Sequence, residues 1–243
     1  MTIPNKQFIY KNIYSYDIPS CHYNILKNSD YDISHIDPNN KIARNIAIGK
    51  MMINNPTLIK FLRNTTTEIV DFYINNNFLS PKDILLKQYD GFYSTKSINT
   101  NIIHNFPAKI KLKNLYDIFI FSINKKMYLG LDCHQNDILI KGIPARYDEI
   151  DKFYKKVLNI NFLNSKSIVQ TLKKLKYYFF NTDKINLFMI PTEKKYKIFT
   201  KEYGELTFSK KAIDLMGIDE IDRIKYFEIY LEPFFKSIIY HVF

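Results

Sequence analysis

Hydrophobic periodicity switches twice along this 243-residue chain, and those switches confine it to a mixed architecture. From Lys41 to Ile53 apolar residues recur at helical spacing (Ile42, Ile46, Ile48, Met51, Met52). Asn55-Pro56 then opens a second helix, with Asn55 as N-cap and Pro56 where a missing N–H costs nothing. That helix runs through Leu58, Phe61, Leu62, Ile69, Val70 and Tyr73 to the Asn75–Asn77 run. Strand-like segments follow at 83–89 and 92–95, joined across Asp90-Gly91, a turn expected to be type I′ with positive φ at both central residues. Further strands are expected at 108–112, 116–122, 126–131 and 137–143, and an aromatic, β-branched strand or hairpin at 8–18. Helical period returns at 147–158, 165–180 and 219–242, with a mixed piece near 185–208. The order predicts an α+β plan: an antiparallel sheet with flanking helices, then a mostly helical second domain. The boundary is placed near Ala145–Tyr147, giving domains 1–145 and 146–243.

Charge narrows the function classes. Thirty-five Lys+Arg against 24 Asp+Glu leave +11, which calls for a polyanion, nucleic acid before anionic membrane. Abundant Asn, Ile, Lys and Tyr reflect low-GC coding and account for part of the Lys excess. Two cysteines make no disulfide framework, no apolar run approaches the roughly 20 residues of a membrane span, and Lys6, Lys11 and Asp17 interrupt the N-terminus. A cytoplasmic protein without membrane partners is expected. Basic residues gather late, at Lys152, Lys155, Lys156, Lys173, Lys174, Lys176, Lys194, Lys195, Lys197, Lys210 and Lys211, interleaved with Tyr and Phe. Such a pattern suits either phosphate neutralisation with base stacking or a solvated face over an aromatic core.

Two carboxylates carry the chemistry. Asp17 ends a strand and Asp90 sits at a hairpin tip, so adjacent strands of one sheet can bring them to a shared pair of divalent cations. Asp also favours turns for conformational reasons alone.

These residues resemble family B DNA polymerases. Asp17-Ile18-Pro19-Ser20-Cys21-His22-Tyr23-Asn24-Ile25 is similar to that family's motif A, and Lys41-Ile42-Ala43-Arg44-Asn45-Ile46-Ala47-Ile48-Gly49 to motif B. Gln88-Tyr89-Asp90-Gly91 falls where motif C stands. Lys125-Lys126-Met127-Tyr128-Leu129-Gly130 and Ile140-Lys141-Gly142 through Arg146-Tyr147-Asp148 resemble the family's later Lys-Lys-Arg-Tyr and Ile-Lys-Gly stretches. The resemblance covers roughly residues 10–150. It implies a polymerase-like palm over 1–145, with fingers reduced to the helices at about 41–77, and a basic, thumb-like domain over 146–243. It implies Asp17 and Asp90 as catalytic ligands of Mg²⁺ or Mn²⁺, and Lys41 against an incoming nucleoside triphosphate. Asn45, Gly49 and His22 would shape the nucleotide pocket, His22 against the sugar. Lys125, Lys126, Tyr128 and Lys141 would grip a DNA primer–template.

The implied activity is a minimal template-directed nucleotidyltransferase extending a primer 3′-hydroxyl in replication. A phage or other mobile element fits the stripped, low-GC style, which would place the protein in host cytoplasm. Against that family the chain is expected to lack a long fingers hairpin, an exonuclease and an N-terminal domain. Gln88 stands for the first carboxylate of motif C, and Lys111 and Lys113 stand where the family is acidic. Those departures keep two alternatives open: a non-catalytic nucleic-acid-binding subunit or C-terminal half of a split polymerase, and a primase-like enzyme. The apolar C-terminus (Ile221 to Ile239, with Pro233 as a kink) reads as thumb core or as a docking face for a second polymerase subunit. Cys21-His22 and Cys133-His134 repeat a pair, but neighbours on a strand face opposite ways, which argues against zinc. His35, His104 and His241 have no triad spacing.

Overall fold

A computed structural model of the chain describes residues 8–102, 105–106, 108–123, 127–132, 137–142, 165–192 and 195–242. The expected domain boundary near 145, the helix at 147–158, Lys125, Lys126 and the Cys133-His134 pair lie outside them. The fold is α+β, as expected, with a six-stranded sheet of order β2-β3-β1-β4-β5-β6 and a three-stranded sheet β7-β8-β9. The chain divides into two compact units, residues 12–116 and residues 1–11 with 117–243. Strands β1 (Ile9–Asp17) and β4 (Lys111–Phe121) each run through both.

The 12–116 unit holds the C-terminal part of β1 and three helices, α1 (Cys21–Lys27), α2 (Lys41–Ile53) and α3 (Pro56–Asn76). Strands β2 (Ile84–Lys87) and β3 (Gly91–Ser94) complete it. The capping that the sequence predicts is present. Asn40 Oδ1 accepts from the Ala43 N–H at 3.0 Å and Asn55 Oδ1 from the Leu58 N–H at 2.9 Å. Each cap satisfies a donor the first turn cannot pair internally. Helix α3 buries Leu58, Leu62, Ile69, Val70 and Tyr73, spacings that draw one stripe along a helix. Full burial stabilises by about 1.5–3 kcal/mol per large apolar side chain. The stripe meets Ile25 and Leu26 of α1, Tyr16 of β1 and Phe92 of β3 in one core.

Helix α1 has no sequence expectation behind it. Its N-cap, Ser20, is left-handed (φ 50°, ψ 39°) and makes no side-chain cap, so the usual start signal is missing. The β2–β3 turn also differs from expectation: among the described residues neither Asp90 nor Gly91 has positive φ, so the turn is not type I′. Glycine is required there for another reason. Antiparallel pairing sets Asp17 opposite Gly91, and a Cβ at Gly91 would lie 2.0 Å from the Tyr16 carbonyl oxygen.

The other unit pairs β4 with β5 (Tyr128–Asp132) and β5 with β6 (Asp137–Lys141), both antiparallel. The two strands expected at 108–112 and 116–122 are one continuous β4. Helix α4 (Ser165–Asn181) follows. The stretch expected as mixed contains β7 (Ile190–Pro191), β8 (Tyr196–Thr200) and β9 (Gly204–Phe208), which make a three-stranded sheet within the part expected to be mostly helical. Near the C-terminus, α5 (Lys210–Asp214) and α6 (Arg223–Tyr226) lead to a π-helical turn (Phe227–Leu231) and α7 (Glu232–Val242). The wide turn stands just before Pro233, which cannot supply the N–H that a regular helix needs there. Phe227, Leu231, Phe234, Phe235 and Ile238 are buried in this unit's own core with Leu175, Phe188 and Ile198. Most of the apolar C-terminal stretch is thereby used within the unit and gives no support to a second-subunit docking face. Among the described residues no helix is long and apolar enough to cross a membrane.

Candidate active site

The 12–116 unit gathers the first cluster of expected site residues. Strand β1 carries Asp17 to its end, and the backbone N–H of the next residue, Ile18, donates to the Asp90 carbonyl at 2.8 Å. That bond, with the Tyr16–Gly91 approach, clamps the Asp90 turn against the end of β1. The two carboxylates feel each other. Burial raises the Asp17 pKa above its ordinary value first, and the charge of Asp90 raises it further. Lys113 and Lys41 oppose the shift. Lys113, on β4, places Nζ 3.2 Å from Asp17 Oδ2, with Asp17 half-buried and Lys113 mostly exposed. In the sequence Lys111 and Lys113 stand out only as charge reversals. Their separation from Asp17 by 96 positions in the case of Lys113 hides such a pairing from any local pattern.

Lys41, Asn45 and Gly49 lie on α2 at i, i+4 and i+8, which is one face of a helix. Lys41 and Asn45 are exposed. Lys41 opens the helix and no acidic residue shares its first turn, so a cation stands at the end where the macrodipole favours anions. A Cβ built on Gly49 meets nothing within 4 Å, so packing inside the protein does not ask for glycine there. Beside this face Ile42 and Ile46 are exposed, an apolar border along the helix.

Arg44 is a residue of this cluster that the sequence did not single out. Its Nη2 donates to Ser20 Oγ at 2.8 Å, its Nη1 to the Pro38 carbonyl at 2.7 Å, and its guanidinium lies 5.2 Å from the Tyr23 ring centroid. It ties α2 to the left-handed turn that follows Asp17. His22 stands in the first turn of α1, its ring edge-on to Tyr89 at 5.5 Å, and its buried Nε2 has no hydrogen-bond partner among the described residues. Burial lowers its pKa, with Asp90 pulling the other way, so the imidazole is disposed to be neutral. Cys21 begins a helix rather than lying on a strand. Its thiol is 3.3 Å from Thr66 Oγ1 and burial pushes its pKa to about 11, which keeps it protonated rather than a thiolate ligand. Among the described residues no three His, Cys, Asp or Glu side chains form a metal-holding group.

The donor set at Asp17 and Asp90 therefore consists of two hard oxygen ligands, the charge of Asp90 raising the cost of ionising Asp17, with a lysine against Asp17. Two such carboxylates fit a Mg²⁺- or Mn²⁺-sized cation, which takes one or two protein carboxylates and completes its shell with water and phosphate oxygens. They are too few to cage it unaided.

The second group of expected residues lies in the other unit. Tyr128 is buried, stacked on Phe119 at 5.4 Å between centroids, so its ring belongs to the sheet core and is not free to stack on a base. Lys141 is exposed on β6. On α4, Lys173, Lys174 and Lys176 are exposed with Tyr177, while Leu172, Leu175 and Phe179 are buried. The helix therefore presents a basic exposed face and packs an apolar, aromatic face into the core.

No protein-family model matches the chain, and no curated protein matches it in sequence. Among solved structures it is similar to the family B DNA polymerase from the hyperthermophilic archaeon Pyrobaculum calidifontis, at a TM-score of 0.50 and 10% identity. The match covers 96% of this chain and 45% of that one, so the chain spans less than half the length of its structural neighbour. At this identity the likeness is one of fold.

Proposed function

We propose that the chain is a palm-like nucleotidyltransferase that extends a nucleic-acid primer on a template, with Asp17 and Asp90 as its metal-holding carboxylates. The observation that carries the reading is the clamp of the Asp90 turn onto the end of β1, which brings the charge of Asp90 to bear on Asp17, with Lys41 acting on Asp17 from farther off. The fold-level likeness to a DNA polymerase supports a nucleic-acid-related role and DNA and nucleotide as partners.

Asp17 and Asp90 would hold Mg²⁺ or Mn²⁺, which when bound polarises phosphoryl oxygens and lowers the pKa of an attacking hydroxyl. The work left to the chain is positioning and charge. The α2 N-terminus, with Lys41, offers an ammonium and the positive end of the helix dipole to the same anion, the arrangement suited to a triphosphate tail. Asn45 and the open space over Gly49 line the next two turns of that face, where a nucleoside could lie close to the helix. Arg44 holds this face in register with the Asp17 turn. Exposed Lys141, Lys173 and Lys174 supply phosphate neutralisation of the sequence-independent kind.

The test is primer extension with dNTPs and, separately, NTPs, in Mg²⁺ and in Mn²⁺, using wild type, Asp17→Asn and Asp90→Asn. Loss of extension in both variants with retained duplex binding supports the reading; unchanged extension overturns it. The Lys113–Asp17 ion pair favours a second reading, in which the site is silenced and the chain only binds nucleic acid. Salt-sensitive duplex binding by a wild type that extends no primer under any of these conditions would establish that alternative.

A further inference from the structure

Lys113 stands where a metal's charge is needed. Its ammonium is 3.2 Å from Asp17 Oδ2, and its stem rises from β4, next to β1 in the strand order, so the sheet backbone fixes where the charge starts. Lys41 adds a second, more distant positive charge to the same carboxylate. Two carboxylates bring two negative charges; one is already matched by a tethered cation before any ion arrives. A first divalent cation then brings the local charge to roughly +1, and a second has to enter against that excess with no third carboxylate among the described residues to receive it.

We propose that Lys113 acts as a built-in cation of the site, limiting the nucleotide-free protein to a single divalent ion and leaving a second to enter only with the oxygens of a triphosphate. This rests on the reading of Asp17 and Asp90 as metal-holding carboxylates. It assigns Lys113 a positioning role, acting through Asp17, and makes metal stoichiometry a property of one exposed side chain. At about 4 Å one unit charge in a partly solvated site is enough to alter cation affinity by tenfold or more.

Mn²⁺ titration of the full chain without nucleotide, followed by electron paramagnetic resonance, tests it. The proteins are wild type, Lys113→Met, Lys113→Arg and Asp17→Asn. Lys113 is mostly exposed, so Met, of similar length, should leave the fold intact, and circular dichroism checks this. Wild type and Lys113→Arg should bind one Mn²⁺, Lys113→Met should bind about tenfold more tightly or take up a second ion, and Asp17→Asn should bind none. Equal stoichiometry and affinity in wild type and Lys113→Met, with binding still lost in Asp17→Asn, would overturn the role of Lys113 and leave the metal site standing. Absence of Mn²⁺ binding in both wild type and Lys113→Met would overturn both together.

Discussion

The Tyr16 carbonyl oxygen stands 2.0 Å from the point a Gly91 Cβ would occupy. No backbone pair accommodates that contact without moving, so β1 and β3 can be this close only with glycine at 91. Gly91→Ala should therefore push the two strands apart at the spot where Ile18 grips Asp90. Overpacking of this kind costs about 1–3 kcal/mol, and the backbone contact places the expected loss at the upper end. Urea denaturation checks the stability loss. On the nucleotidyltransferase reading, extension activity should fall by more than the unfolded fraction explains, because Asp90 moves with the turn.

Asp17 should make the folded state less stable as pH rises, the reverse of the usual surface aspartate. Burial and the charge of Asp90 raise its pKa in the fold above 3.8. Over that interval the folded chain holds the proton that the unfolded chain has released, so unfolding free energy falls with pH and levels off above the folded pKa. Asp17→Asn should abolish this fall, leaving the variant more stable than wild type at neutral pH in chelator-treated buffer. The exposed Lys113 pair that it gives up is worth little in water. Thermal melts of both proteins from acid to neutral pH check the sign. A variant less stable than wild type throughout would mean that the ion pair outweighs the burial cost.

How much of this was readable in advance depends on whether the signal was local. Asn55-Pro56 and the apolar stripe of α3 fixed a helix start to the residue, because capping and period act within a few positions. Asp90-Gly91 marked the hairpin correctly but for the wrong reason: the glycine answers Tyr16, a residue far away in sequence, and not a positive φ of its own. Helix α1 was hidden because seven residues carry too little period, and its cap, Ser20, spends its hydroxyl on Arg44. Of the site, the residue types at 17, 41 and 90 were visible as candidates. Arg44 and Lys113 act through contacts spanning 24 and 96 positions, and no spacing rule reaches that far.

On the nucleotidyltransferase reading, Arg44 should matter more to nucleotide binding than to turnover. Its two hydrogen bonds and its place over Tyr23 hold α2 to the loop after Asp17 without touching either carboxylate. Arg44→Ala should cost about 1–2 kcal/mol of stability. It should raise KM for the nucleoside triphosphate several-fold, with a smaller change in kcat. Arg44→Lys should recover little, since one ammonium cannot reach Ser20 and Pro38 in the fork geometry of a guanidinium. A steady-state comparison of the three proteins checks it, and an equal loss in kcat with KM unchanged would assign Arg44 to the chemistry instead.

His22 presents a buried nitrogen with no partner among the described residues, beside Tyr89 and within the field of Asp90. Such an atom lowers stability unless something hydrogen-bonds it; on the nucleotidyltransferase reading that something is the sugar of the incoming nucleotide, which reaches it once the side chains covering it move aside. His22→Phe keeps a ring of similar shape and removes the unpaired atom. The folded state should be unchanged or slightly more stable, while the ratio of kcat/KM for ribo- against deoxynucleotides should shift by about tenfold, the scale of one lost polar contact. His22→Asn, which retains a hydrogen-bonding group in less volume, should move the ratio less than Phe does. Urea melts and single-nucleotide extension read the two quantities separately. A gain in stability with an unaltered ratio would leave the Nε2 unpaired in the nucleotide complex as well, and the sugar would have to lie elsewhere.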